Sequence, residues 1–217
     1  MTDQEGAERR LQTKIWQTSG ARFNASRRLQ NRERLSIASI SGLAVLGIAI
    51  SVAPSVIGVP TDPVQAGLYA FLGVAIGLSV LVISLIDSGG RFSIRAERLH
   101  DNARDLSALR NKMELVIVDP KHTPGQIEEI RSDYEKLVRE CPFNHSEADR
   151  NRFLAQHRKG KEFIGENGTP NVPWLKAAYF VVVWHLHSTW VFLVSWLLVL
   201  SITYELFSAV FASTPCE

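Results

Sequence analysis

Cysteine and methionine are scarce in this chain, two of each in 217 residues. Cys141 and Cys216 stand too far apart to form a framework, and neither has the Cys-x-x-Cys or Cys/His spacing of a redox or metal site. No glycine-rich phosphate loop follows a strand, and no hydrolase elbow is present. Asp87 and Glu97 are isolated carboxylates at a helix start. No catalytic residue, metal ligand or cofactor site is therefore expected, and the chain does not read as an enzyme. A cleavable signal peptide is not expected either. The first apolar run begins only after more than thirty residues and is long enough to span a bilayer.

The most informative absence is of charge. Leu35–Thr61, Pro63–Ile86 and Ala177–Tyr204 contain no Asp, Glu, Lys or Arg. A hydrocarbon core of about 30 Å is crossed by roughly 20 apolar residues of helix. All three runs exceed that length, and buried helices of soluble proteins rarely go so far without a charge on any face. The expected fold is an all-α membrane protein. It comprises a transmembrane helical hairpin (spans about 35–59 and 64–86 within 35–86) and a third span, 177–206. The remaining parts are a basic amphipathic helix at 1–34, a helical bundle at 87–176 and an external tail, 207–217.

The distribution of basic residues sets the orientation, because Lys and Arg near a span resist translocation. Arg22, Arg27, Arg28, Arg32 and Arg34 precede the first run, and Arg91, Arg95 and Arg98 follow the second. Lys176 precedes the third. The link Pro60-Thr61-Asp62-Pro63 and the tail after Phe207 carry no Lys or Arg. The expectation is a multi-pass protein of the bacterial inner membrane, with the amino terminus and the middle segment cytoplasmic and the carboxyl terminus outside.

Gly73 and Gly77 form a small-xxx-small pair that lets helices approach closely in lipid, either within the hairpin or between copies. In the middle segment Phe92, Leu99, Leu106 and Met113 recur every seven residues and make an apolar stripe. The stripe needs cover, from a second copy or from the N-terminal helix with Leu11, Ile15 and Leu29. Gly89-Gly90 is a candidate hinge between span two and this helix. Asp119-Pro120 ends the helix, and Thr123-Pro124-Gly125-Gln126 starts the next with a capping box. A further short helix begins at Ser146, and Gly160–Pro173 is a loop.

His185 and His187, in Trp184-His185-Leu186-His187-Ser188, are polar residues within the third apolar run, where an ionisable group reads as functional by default. About 200° apart on a helix, they cannot chelate one ion together. Contact with neighbouring spans is the simpler role. Residues 87–176 carry sixteen basic and fifteen acidic side chains, a balance that suits a solvated surface and not direct nucleic-acid binding.

Two strings carry a family resemblance. Arg22-Phe23-Asn24-Ala25-Ser26-Arg27-Arg28-Leu29 leads into the first span, and Arg95-Ala96-Glu97-Arg98-Leu99-His100-Asp101-Asn102-Ala103 heads the helix after the second. Over roughly residues 8–140 the chain resembles the SLATT family of bacterial two-span effectors, to which the third span is an addition. The resemblance implies a membrane effector of an anti-phage or related conflict system. Such an effector oligomerises in the lipid bilayer and permeabilises it when a partner signals. The implied partner is a cytoplasmic sensor, a nucleotidyltransferase or a reverse transcriptase encoded nearby. The competing expectation is a passive membrane scaffold that recruits a cytoplasmic partner through its helical domain.

Overall fold

The computed structural model describes residues 3–57 and 63–212. The expected hairpin link at Pro60–Pro63 lies largely outside them, as do Cys216 and the end of the expected tail, 213–217. Six α-helices follow in chain order: α1 Asp3–Ile57, α2 Pro63–Gly90, α3 Phe92–Val118, α4 Pro124–Glu140, α5 Glu147–Gln156 and α6 Trp174–Ala212. A 3₁₀ turn, Lys161–Phe163, stands between α5 and α6. Among the described residues there is no strand, only an isolated bridge between Ile164 and Pro170. Three helices (α1, α2 and α6) are long and apolar enough to cross a membrane.

The chain divides into two compact units. The first comprises Met1–Gln30 and Phe92–Ser188, the second Asn31–Arg91 and Thr189–Glu217. In the first unit α1 shows the helical spacing of an amphipathic segment, with Leu11 and Ile15 four apart and Ala25 and Leu29 four apart. Leu11 and Ile15 pack with Leu106, Leu109 and Met113 of α3 and with Ile127, Ile130 and Tyr134 of α4. Ala25 and Leu29 pack with Ala96 and Leu99, with Phe92 alongside. Leu99, Leu106 and Met113 are buried to within 1% of completeness by the chain's own helices. Each such side chain contributes about 1.5–3 kcal/mol by leaving water. Of the two covers open to the heptad stripe, the structure places the N-terminal helix over Leu99, Leu106 and Met113, with Phe92 partly buried beside them.

Local hydrogen bonds delimit the short helices as their residues suggest. Gln126 Oε1 accepts from the Thr123 N–H at 2.8 Å at the start of α4. Ser146 Oγ accepts from the Asp149 N–H at 3.4 Å, while Asp149 Oδ2 accepts from the Ser146 N–H at 2.9 Å at the start of α5. The break between α2 and α3 falls at Arg91, whose φ of 44° is left-handed. That conformation costs a non-glycine residue about 1 kcal/mol.

The second unit has an apolar interior of Leu43 and Ile50 from α1, Leu72, Ile76 and Ile83 from α2, and Phe192 and Val199 from α6. Gly42 admits the Trp196 indole, since a Cβ there would stand 2.9 Å from Trp196 Cζ2. The indole N–H donates to Ser39 Oγ at 3.1 Å. The outer faces are equally apolar: Val45, Val74 and Leu197 are 67–69% exposed. Three helices with apolar residues on both faces fit a solvent of lipid tails and not water. Three other hydroxyls in this unit turn back on their own helices. Ser51 donates to the Gly47 carbonyl at 2.7 Å, Ser79 to Ala75 at 2.9 Å and Thr203 to Val199 at 2.7 Å.

Candidate functional site: a buried charged clasp

The strongest concentration of polar chemistry lies in the first unit, at the N-terminus of α5. Asp149, the residue that completes the Ser146 capping box, is fully buried. Its Oδ1 accepts from Arg28 Nε at 2.9 Å and from Trp184 Nε1 at 3.0 Å. Its Oδ2 accepts from Arg28 Nη2 at 2.9 Å, from the Ser146 N–H at 2.9 Å and from the Ser146 hydroxyl at 2.7 Å. Five donors thus meet a carboxylate that has about four lone-pair sites. The backbone is drawn in as well, because Asn24 Nδ2 donates to the Asp149 carbonyl at 3.2 Å. One side chain therefore joins α1, α5 and α6.

Burial pushes the Asp149 carboxyl upward and is the largest single influence on it. The Arg28 guanidinium and the Ser146 donors together outweigh it, and they hold the group below the ordinary carboxylate range. Outside this pair, Arg152 lays its guanidinium over the Trp184 ring, 3.4 Å from the centroid. That is a cation–π contact on an indole already fixed by its N–H. Arg152 Nη1 lies 3.4 Å from His185 Nε2.

A second polar node crosses the same unit. Arg22 is 2% exposed and donates to Asn102 Oδ1 and to the Val138 carbonyl. Asn102 Nδ2 in turn donates to the Leu137 carbonyl at 2.8 Å. No carboxylate faces Arg22 within ion-pair distance among the described residues, and burial lowers its pKa. Burial and the Arg22 charge lower the pKa of His145 as well. A buried guanidinium balanced only by an amide and a carbonyl is costly to keep, and costlier to strip of either partner.

The residues singled out from sequence are dispersed. Phe92, Leu99, Leu106 and Met113 belong to the interior of the first unit. A Cβ added at Gly73 or Gly77 meets nothing within 4 Å. Both glycines instead line an open groove of the second unit with Ala44, Gly47 and Val80. Gly89 and Gly90 form the last turn of α2, one residue before the break. His185 and His187 fall in the first unit, in the stretch of α6 that also carries Trp184. Sequence reasoning missed Asp149, Arg28 and Trp184 as a set. The one local signal was Ser146-x-x-Asp149, which reads as a helix cap and conceals the partners brought from residues 28 and 184.

Fold and clasp define a class: an all-α membrane protein that combines three bilayer-length helices with a helical unit organised around a buried charge. Residues 5–204 match the model of the SMODS and SLOG-associating 2TM effector domain family 5. The chain belongs to this SLATT family, whose members are membrane effectors of conflict systems. The match runs past the resemblance seen at residues 8–140 and takes in most of α6, so the third apolar helix is part of the matched domain. No curated protein and no solved structure matches the chain.

Proposed function

We propose that this protein is the membrane effector of a bacterial anti-phage or conflict system. In this reading it oligomerises and permeabilises the inner membrane when a cytoplasmic sensor or nucleotide-signalling partner triggers it. The observation that carries the reading is a unit of three helices with outward apolar faces, in a chain of an effector family. The first unit is the cytoplasmic receiver. The amino terminus lies inside and the carboxyl terminus outside, as the one-sided Arg and Lys require.

The clasp is the element that holds the effector quiet. Arg28 stands three residues before Asn31, where α1 passes into the second unit, and Trp184 stands five before Thr189, where α6 does so. Opening the Asp149 contacts frees both helices at once. The Gly89–Arg91 joint lets α2 answer a movement of α3. The third span was expected at 177–206; because residues up to Ser188 belong to the first unit, its bilayer part is proposed to begin near Thr189. Thr189–Ala212 is 24 residues of helix, about 36 Å at 1.5 Å per residue. His185 and His187 then sit at the membrane edge. Within one protomer the α1–α2 groove is lined by apolar residues, glycines and Ser51, so the permeation path forms between copies. The open Gly73–Gly77 face suits their packing.

The test is induction of the full chain together with its genomic partner and trigger, followed by membrane potential and growth. Depolarisation with growth arrest supports the effector. If neither occurs while the protein is present in the membrane, the function is that of a passive scaffold.

A further inference from the structure

A second feature of the first unit lies away from the clasp. The N-terminal part of α1, the end of α3 and the 3₁₀ turn border an open trough of about 720 Å3, within the roughly 300–1,000 Å3 typical of small-ligand sites. Arg9, Arg10, Lys14 and Lys161 line it, against the single acidic residue Glu162. The whole chain is nearly balanced, with 24 basic and 22 acidic residues, so four cations to one anion is a local concentration. Among the described residues none of the four takes part in a salt bridge, and Lys14 instead lies over the Tyr134 ring, 5.3 Å from its centroid.

The trough is built by the tertiary fold and is more than a run of basic sequence. Lys161 reaches it from about 150 residues beyond Arg10. The turn that carries Lys161 is anchored by Phe163, which is 6% exposed and stacks 5.5 Å from the Trp16 ring of α1. The Phe163 N–H donates to the Gly160 carbonyl at 2.9 Å and closes that turn. On the α1 side Gly6 leaves its position bare. A Cβ there would stand 3.6 Å from Arg10 Nη1, so the guanidinium lies over the helix backbone. Thr13 and Gln17 add neutral polar groups along the same wall.

We propose that this trough binds a small soluble anion bearing two or more phosphates. Arg9, Arg10 and Lys161, without a carboxylate partner among the described residues, stand around a concave site with hydroxyl and amide groups between them, the chemistry that recognises clustered phosphate oxygens. Lipid headgroups carry the same phosphate chemistry, but these cations are poorly placed to meet them. Lys14 is 21 residues before Leu35, and Lys161 is 28 before Thr189, where the bilayer part of α6 is proposed to begin, both beyond the roughly 15–20 residues within which basic side chains flank a span. Arg22 to Arg34 occupy that zone. The inference stands independently of the effector reading, since a scaffold could carry the same site.

The experiment is isothermal titration of the detergent-solubilised full chain with inorganic tripolyphosphate. One anion per chain is expected to bind, and Arg10→Ala and Lys161→Ala should each weaken binding about tenfold, the scale of one lost charge-assisted contact. Lys136→Ala and Arg139→Ala, on exposed parts of α4, should leave it unchanged. Equal losses in these controls would reduce the effect to diffuse charge and overturn the site, as would no binding at all. All four side chains are exposed, so unliganded melting temperatures should match the parent. The same titration in phosphatidylglycerol and phosphatidylcholine nanodiscs separates the sources. Equal affinity in both supports a soluble ligand; binding abolished by phosphatidylglycerol assigns the cations to the leaflet and overturns the proposal.

Discussion

Replacing Asp149 with Asn keeps the size and shape of the side chain and one carbonyl oxygen, while removing the charge and turning one acceptor into a donor. That new NH2 must face either the Arg28–Trp184 pair at Oδ1 or the Arg28–Ser146 donors at Oδ2, all within 2.7–3.0 Å. No rotamer avoids a donor–donor contact. The Asp149 and Arg28 side chains are 0% and 12% exposed, so the pair counts as buried. Removing one member of a buried pair costs about 3–5 kcal/mol. At ~2–4 °C per kcal/mol for a chain of this size, the melting temperature should fall by roughly 6–20 °C. Tryptophan fluorescence of the solubilised full chain reports the transition. Arg28→Met combined with Asp149→Leu should recover part of the loss, since it removes both charges together. The acid side follows from the depressed pKa. The clasp's contribution is complete above the unfolded carboxylate value near ~3.9 and is lost as pH falls through the lower folded value. The Asn variant should lack that acid sensitivity. A loss below about 1 kcal/mol, the range of an exposed ion pair, would refute the clasp as a structural element.

Three further outcomes are expected. Gly20→Ala should destabilise the first unit by about 1–3 kcal/mol, because its Cβ would enter the Phe153 ring; thermal melting checks this, and an unchanged melt would show that Phe153 moves aside freely. Gly73→Leu and Gly77→Leu should leave helix content and melting intact, since both positions face open space, yet abolish cross-linked species in membranes; persistence of those species would locate the copy–copy contact elsewhere. The Asp119 carbonyl and Glu8 raise the His122 pKa, so its contribution is full below about pH 6.5 and lost as pH rises through the folded value. Protection factors at the α3–α4 turn, corrected for base-catalysed intrinsic exchange, should fall across that window in the parent and not in His122→Gln.

Sequence alone determined the membrane class, because crossing a bilayer asks for length and freedom from charge, and both are properties of a run of residues. It also determined the starts of α4 and α5, whose capping bonds join residues three apart. The Leu99–Leu106–Met113 stripe was legible as a face in need of cover, but its covering helix was not. Leu11 and Ile15 of the same chain and a second copy satisfy the same apolar demand, and only the three-dimensional path of α1 chooses between them. The α2–α3 break falls at Arg91, beside the Gly89-Gly90 pair that the sequence offered as a candidate hinge. Glycine was the expected pivot, yet the left-handed conformation is taken by Arg91. Tertiary structure alone decided the clasp and the basic trough. Arg28, Asp149 and the Trp184 indole come within hydrogen-bond distance only on folding, where electrostatic energy is large, and only folding puts Arg10 and Lys161 on the walls of one trough.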